Sequence, residues 1–185
     1  MPELLNIESM EEVELEHPVE VGILDDDRGD LELIEYELKR LKIFDYYVRA
    51  ESPEFLKRMN KNTKLVAIDY RLSNETAVDV LVKIRRINPE VKVILMSGQL
   101  PPDQPRGDRP RERESVLRSF INSDGGIVGY VEKSGMEYIK EIGALILREL
   151  NKAKQVAIEE LIRKRRIERL ENIVKSLTEK YNLTT

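Results

Sequence analysis

The sequence predicts an α/β fold: a parallel β-sheet flanked by helices, with a long helix at its C-terminal end. Three observations carry this expectation. Apolar runs of strand length recur along the chain, and between most of them lie stretches whose apolar residues follow helical spacing. Nearly every run also finishes in a polar residue capable of chemistry, at the strand end where open parallel sheets collect their ligands.

The first strand is expected at Val21–Leu24, followed by a helix near 29–41 in which Leu31, Ile34, Leu38 and Leu41 fall on one face. A weaker strand at 46–50 (YYVRA) precedes a helix opened by Ser52-Pro53-Glu54, where Ser suits the cap and Pro the first turn. A third strand, KLVAID, covers 64–69, and the helix after it, near 75–88, should stop at Asn88-Pro89. VKVILMS (91–97) and GIVGYVE (126–132) complete five strands. Because the runs are apolar on both faces, the sheet should be parallel and covered on both sides.

Two regions break the alternation. The segment QLPPDQPRGDRPRERESVLRSFINSDG, within 99–126, is rich in Pro, Gly and Arg in its first half and reads as a long loop before a short helix near 111–122. Its Arg106, Arg109, Arg111, Arg113 and Arg118 alternate with acids, which suits either a solvated insertion or an element ordered by a new dianion nearby. From about Met136 to about Tyr181 only Gly143 interrupts a helical sequence. The stripes Ile139, Ile142, Ile146, Leu150, Ala153, Ala157 and Ile167, Leu170, Val174, Leu177, Tyr181 are separated by Arg163-Lys164-Arg165-Arg166. They fit either a dimeric coiled coil with a stutter or two helices folding back. The expected organisation is an acidic arm at 1–19, a main domain at 20–150 with the enlarged 99–126 loop, and a helical extension at 151–185.

Composition narrows the function. The chain has 185 residues, no cysteine, a single histidine and a net charge of −4. Thiolate metal sites, disulfides and histidine-based triads are excluded, and His17 in the acidic arm is expected to be inert. No apolar run approaches the ~20 residues of a membrane span, and the acidic N-terminus is unlike a signal peptide, so a cytoplasmic protein is expected. Residues 151–185 are net basic, and the RKRR cluster is more simply a solvated coiled-coil flank than a nucleic-acid contact. Thirty-five further residues cannot hold a separate helix-turn-helix domain, so output through protein contact is the expectation.

The chemistry concentrates at the strand ends: Asp25, Asp26 and Asp27 after the first, Asp69 after the third, Ser97 after the fourth and Lys133 after the fifth. Adjacent carboxylates repel unless a cation sits among them, and a hard divalent ion such as Mg²⁺ takes such oxygen ligands. An aspartate beside the metal can attack phosphorus, with a hydroxyl and an ammonium binding the phosphoryl oxygens. Asp27 also suits a plain helix-capping role, since Asp-Arg-Gly-Asp precedes a helix.

These residues resemble those of the receiver domain of two-component response regulators. The match comprises the acidic pair in ILDDD, the lone acid in VAIDYRL, the hydroxyl in VILMSG and the lysine in GYVEKSG, and it spans about 20–150. The resemblance implies a five-stranded parallel sheet in the order 2-1-3-4-5. It also implies Asp69 as phosphoacceptor, with Asp25, Asp26, Asp69 and the main-chain carbonyl of Arg71 holding Mg²⁺. Ser97 and Lys133 would bind the phosphoryl group, and Ser97 with Tyr130 would form the switch pair. The implied donor is a sensor histidine kinase or phosphotransfer protein. The implied protein is a phosphorelay component rather than a dedicated enzyme, signalling to a downstream protein; the helical periodicity of the C-terminal stretch adds the expectation of a homodimer through that helix.

This chain departs from the family pattern in carrying Ser73 where proline is common, Thr76-Ala77 where Asp-Gly is usual, and Ser134 after the lysine in place of proline. Two alternatives stand beside the leading reading. One is a receiver-like scaffold that is never phosphorylated. The other is a haloacid-dehalogenase-type phosphatase with Asp25 as nucleophile and Asp27 as general acid, although the acidic pair such enzymes carry after the lysine is missing from SGMEYIKEIGALI.

Overall fold

The computed structural model describes residues 19–98 and 126–182. The acidic arm with His17, and all but the last residue of the 99–126 insertion with its expected short helix, lie outside the described residues. Within them the order is β1 (Glu20–Leu24), α1 (Arg28–Arg40), β2 (Tyr46–Arg49), α2 (Ser52–Arg58), β3 (Thr63–Asp69), α3 (Ala77–Ile87), β4 (Lys92–Ser97), β5 (Ile127–Glu132) and α4 (Glu137–Asn182). The strands form one sheet in the order β2-β1-β3-β4-β5 with every pairing parallel, as expected. β1 and β3 are central, so Val21, Ile23, Leu24, Val66, Ala67 and Ile68 are buried whichever face they point to.

One face of the sheet joins Leu24, Val66, Ile68, Val93 and Leu95 to Phe55 of α2 and to Val78, Leu81 and Ile84 of α3. Gly22 lies on this face because the rings of Tyr47 and Phe55 press against it; a Cβ there would come within 2.8 Å of Tyr47. The alternate residues serve the other face, with Leu31, Ile34 and Leu38 of α1 and Ile139, Ile142, Ile146 and Leu150 of α4 buried. A Cβ on Gly129 of β5 would meet Leu145 of α4 and Ile94, and one on Gly143 of α4 would meet Glu37 and Leu41. These approaches place the first turns of α4 against both β5 and α1.

Local chemistry sets the helix ends. Asp27 caps α1 by accepting hydrogen bonds from the amides of Gly29 (2.8 Å) and Asp30 (3.2 Å), so the capping role open to it is the one it fills. α1 closes with Lys42 in the left-handed region (φ 57°), its amide donating to Lys39 and that of Ile43 to Leu38, the paired bonds of a Schellman motif. α3 opens with a capping box between Thr76 and Asp79. The expectation for Ser52 is corrected: Glu51 is the N-cap of α2, and the Ser52 hydroxyl donates to Glu75 instead. A tertiary acceptor outweighs the local preference of serine for a cap.

The C-terminal region is one continuous helix of 46 residues, which removes the folded-back pair as an option. The basic run Arg163–Arg166 interrupts the apolar stripe without interrupting the backbone, because Arg and Lys are good helix formers. The chain divides into a compact unit, Pro18–Asn151, and a second unit that contains Lys152–Thr185. In that second unit Ile167, Leu170, Val174, Leu177 and Tyr181 are all exposed. No helix among the described residues is long and apolar enough to cross a membrane.

Candidate functional site

Parallel pairing brings the carboxyl ends of β1, β3, β4 and β5 to one edge of the sheet. Leu24 pairs with Ile68, Asp69 with Met96, and Ser97 with Glu132, so Asp25, Asp69, Ser97 and Lys133 all lie within a residue of these pairs. The lysine loop is drawn onto the edge by its own backbone, the Lys133 amide donating to the Ser97 carbonyl at 2.8 Å. Among the described residues no peptide bond is cis, so Lys133–Ser134 is trans, and the turn is completed by Gly135 at φ +62°.

The Lys133 ammonium is the hub. It lies 2.8 Å from Asp25 Oδ2, 3.0 Å from Asp69 Oδ1 and 2.7 Å from Asp30 Oδ2, with only 13% of its side chain exposed. Asp25 also accepts from the Asp27 amide at 3.0 Å, and Asp69 accepts from the Arg71 amide at 2.7 Å. Asp26 is half-buried and accepts from the Ser73 hydroxyl. Ser73 therefore tethers an acidic side chain.

Burial governs the electrostatics. It pushes Asp25 up to about 6, against the hydrogen bond and charge of Lys133, which pull the other way. Burial likewise raises Asp69; Lys133 and the Arg71 amide oppose it, and the charge of Asp26 adds to it. For Lys133 burial works downward, yet the hydrogen bonds and charges of Asp25, Asp30 and Asp69 prevail and raise its pKa. Asp30 is buried enough to be pushed upward, but hydrogen bonds from Lys133 and Tyr138 outweigh this and lower it.

The expected residues Asp25, Asp69 and Lys133 are thus in direct contact. Ser97 is buried at the end of β4. Tyr130, two residue pairs back along the β4–β5 ladder and opposite Leu95, is partly buried and packs against the core of that face. Two contributors were not singled out from sequence: Asp30 in the first turn of α1, and Tyr138 in the first turn of α4, whose hydroxyl donates to Asp30. An acid in the first turn of a helix reads as ordinary dipole compensation, so nothing local marked Asp30.

The donors at this edge are oxygens only, which suits a hard cation and not a soft one. Among the described residues no three acids already form a metal-binding group. Mg²⁺ needs no such cage, since it commonly binds one or two carboxylates and keeps several waters. The charge of Asp26 is felt at Asp69, and carboxylate oxygens at this edge are the donor type that this ion takes.

No family model matches the sequence, and no curated protein does. Solved structures do match. A CheY-like response regulator receiver domain protein from Methanospirillum hungatei JF-1 superposes with a TM-score of 0.57 at 17% identity, covering 75% of this chain and 98% of that one. The response regulator DrrB of Thermotoga maritima, an OmpR/PhoB homolog, gives 0.54 at 20% identity over 74% of this chain and 54% of its own. The signal receiver domain of an HD domain-containing protein from Pseudomonas fluorescens Pf-5 gives 0.54 at 19% identity over 76% and 99%. This chain has the fold of a response regulator receiver domain, extended by a long C-terminal helix.

Proposed function

We propose that the protein is a phosphorylation-dependent response regulator whose phosphoacceptor is Asp69. The observation that carries this reading is the Lys133 ammonium held between Asp25 and Asp69, at 2.8 and 3.0 Å, on the carboxyl edge of a receiver-type sheet. A carboxylate of Asp69 forms a bond to phosphorus while the phosphorus–nitrogen bond of a donor phosphohistidine breaks, the electron pair leaving with the imidazole nitrogen. Lys133 shifts its hydrogen bond from Asp69 to a phosphoryl oxygen, and the Ser97 hydroxyl donates to another. Asp25 and Asp26, with Asp69 and the Arg71 carbonyl, would hold Mg²⁺, which when bound neutralises charge on nucleophile and phosphoryl group. Tyr130 follows Ser97 as the switch residue, and the result is passed to a downstream protein by contact. The donor class is a sensor histidine kinase or phosphotransfer protein.

Intact-mass spectrometry after incubation with acetyl phosphate tests the reading, with and without Mg²⁺, on wild type and Asp69→Asn. The expected result is a magnesium-dependent gain of one phosphoryl group that the variant lacks. No adduct, together with no binding of beryllofluoride, would favour the unphosphorylated scaffold.

A further inference from the structure

We infer that the distal part of α4 pairs with a second copy of this chain as a parallel, in-register, two-stranded coiled coil. The evidence is independent of the acid site. With Ile167 set at heptad position a, position a is filled by Ile167, Val174 and Tyr181 and position d by Leu170 and Leu177. All five lie on the exposed stripe of a continuous helix, between 47% and 72% exposed. The β-branched Ile167 and Val174 at a, with leucine at d, are the combination that favours two parallel strands over three or four, and Tyr181 closes the stripe at its end.

The flanking charges choose the orientation. In a parallel pair each g residue meets the e residue five positions later on the other strand. Here Arg166 at g, at the start of the seam, faces Glu171 at e, an attractive pair that occurs twice by symmetry. An antiparallel pair forgoes this contact, and in the register that layers Ile167 on Leu177 it brings Glu171 against its own copy. Glu160 and Arg163 occupy the preceding a and d positions, so the apolar seam starts at Ile167 and the basic run flanks it rather than belonging to it. The occupant of this face is therefore a second copy.

The test is sedimentation equilibrium of the full chain, supported by cysteine cross-linking. A dimer mass is expected for wild type, and a monomer mass for Leu170→Asp. Leu170 is more than half exposed, so that change leaves the receiver fold intact, which far-UV circular dichroism and thermal unfolding check. Arg166→Glu should weaken the dimer at least several-fold, and adding Glu171→Lys should restore it. Because the chain has no native cysteine, Leu177→Cys should give a disulfide-linked dimer on mild oxidation, as a parallel in-register pair requires. A monomeric wild type, a larger assembly, a dimer that survives Leu170→Asp, or failure of Leu177→Cys to cross-link would each overturn the inference.

Discussion

Replacing Asp25 with asparagine should change how stability depends on pH, and the size of the change follows from the site. Asp25 is fully buried, and its pKa is raised from 3.8 to about 6 even with Lys133 in contact. A folded-state pKa above the unfolded one means that the native protein binds this proton more tightly. Ionisation then costs the native state, and stability falls as pH rises from about 4 through about 6. At about 1.4 kcal/mol per pH unit the loss approaches about 3 kcal/mol by pH 8. The substituted amide cannot ionise, keeps an oxygen for the Asp27 amide, and sets its NH₂ against the Lys133 ammonium, a donor–donor contact that costs about 1 kcal/mol at every pH. Urea denaturation in the presence of a chelator, at half-unit steps from pH 4 to 8, gives the difference between variant and wild type. That difference should move by about 2.4 kcal/mol in favour of Asp25→Asn across the range, crossing zero near its acid end, at about pH 4.5. Parallel profiles for the two proteins would refute the reasoning, because they would mean that Asp25 is not held ionised at a cost.

Other outcomes follow from the same contacts. Lys133→Met leaves Asp25 and Asp69 buried without their cation and should lower stability at neutral pH by about 3–5 kcal/mol in urea titrations. Magnesium should raise the thermal midpoint of wild type, by the equivalent of about 2.7 kcal/mol at a free concentration 100 times its dissociation constant, and Asp26→Asn should abolish most of that rise in calorimetry. Gly22→Ala sets a methyl group 2.8 Å from the Tyr47 ring and should cost about 1–3 kcal/mol by overpacking, read as a lower denaturation midpoint. Lys42→Gly should instead stabilise by about 0.5–1 kcal/mol, since Lys42 holds a left-handed conformation that glycine adopts without strain.

The parts of the site on single strands were legible because a parallel sheet converts sequence position into place. A polar residue directly after an apolar run lands on the carboxyl edge, and Asp25, Asp69 and Lys133 meet there. Asp30 and Tyr138 were not legible. Their contact depends on how the first turns of α1 and α4 face each other across the sheet edge, a tertiary relation with no local mark. Ser52 misled for a similar reason, its cap preference yielding to Glu75, 23 residues away in sequence. The strand pattern foretold the sheet to within a residue or two at most strand ends, and the strand order came from the family resemblance rather than from periodicity. Whether the C-terminal stripe ran on one helix or two was undecided in sequence, because an interrupted hydrophobic seam and an interrupted backbone look alike there.

The central claim is that Asp69 carries the phosphoryl group, and the most direct test is to find the modified residue. Borohydride reduces an aspartyl phosphate to homoserine, which peptide mass spectrometry places in the sequence. After incubation with acetyl phosphate and Mg²⁺, the account predicts homoserine at position 69 and at no other aspartate. Reduction at position 25, the nucleophile of the phosphatase alternative, or no reduction under conditions where beryllofluoride also fails to bind, would contradict it.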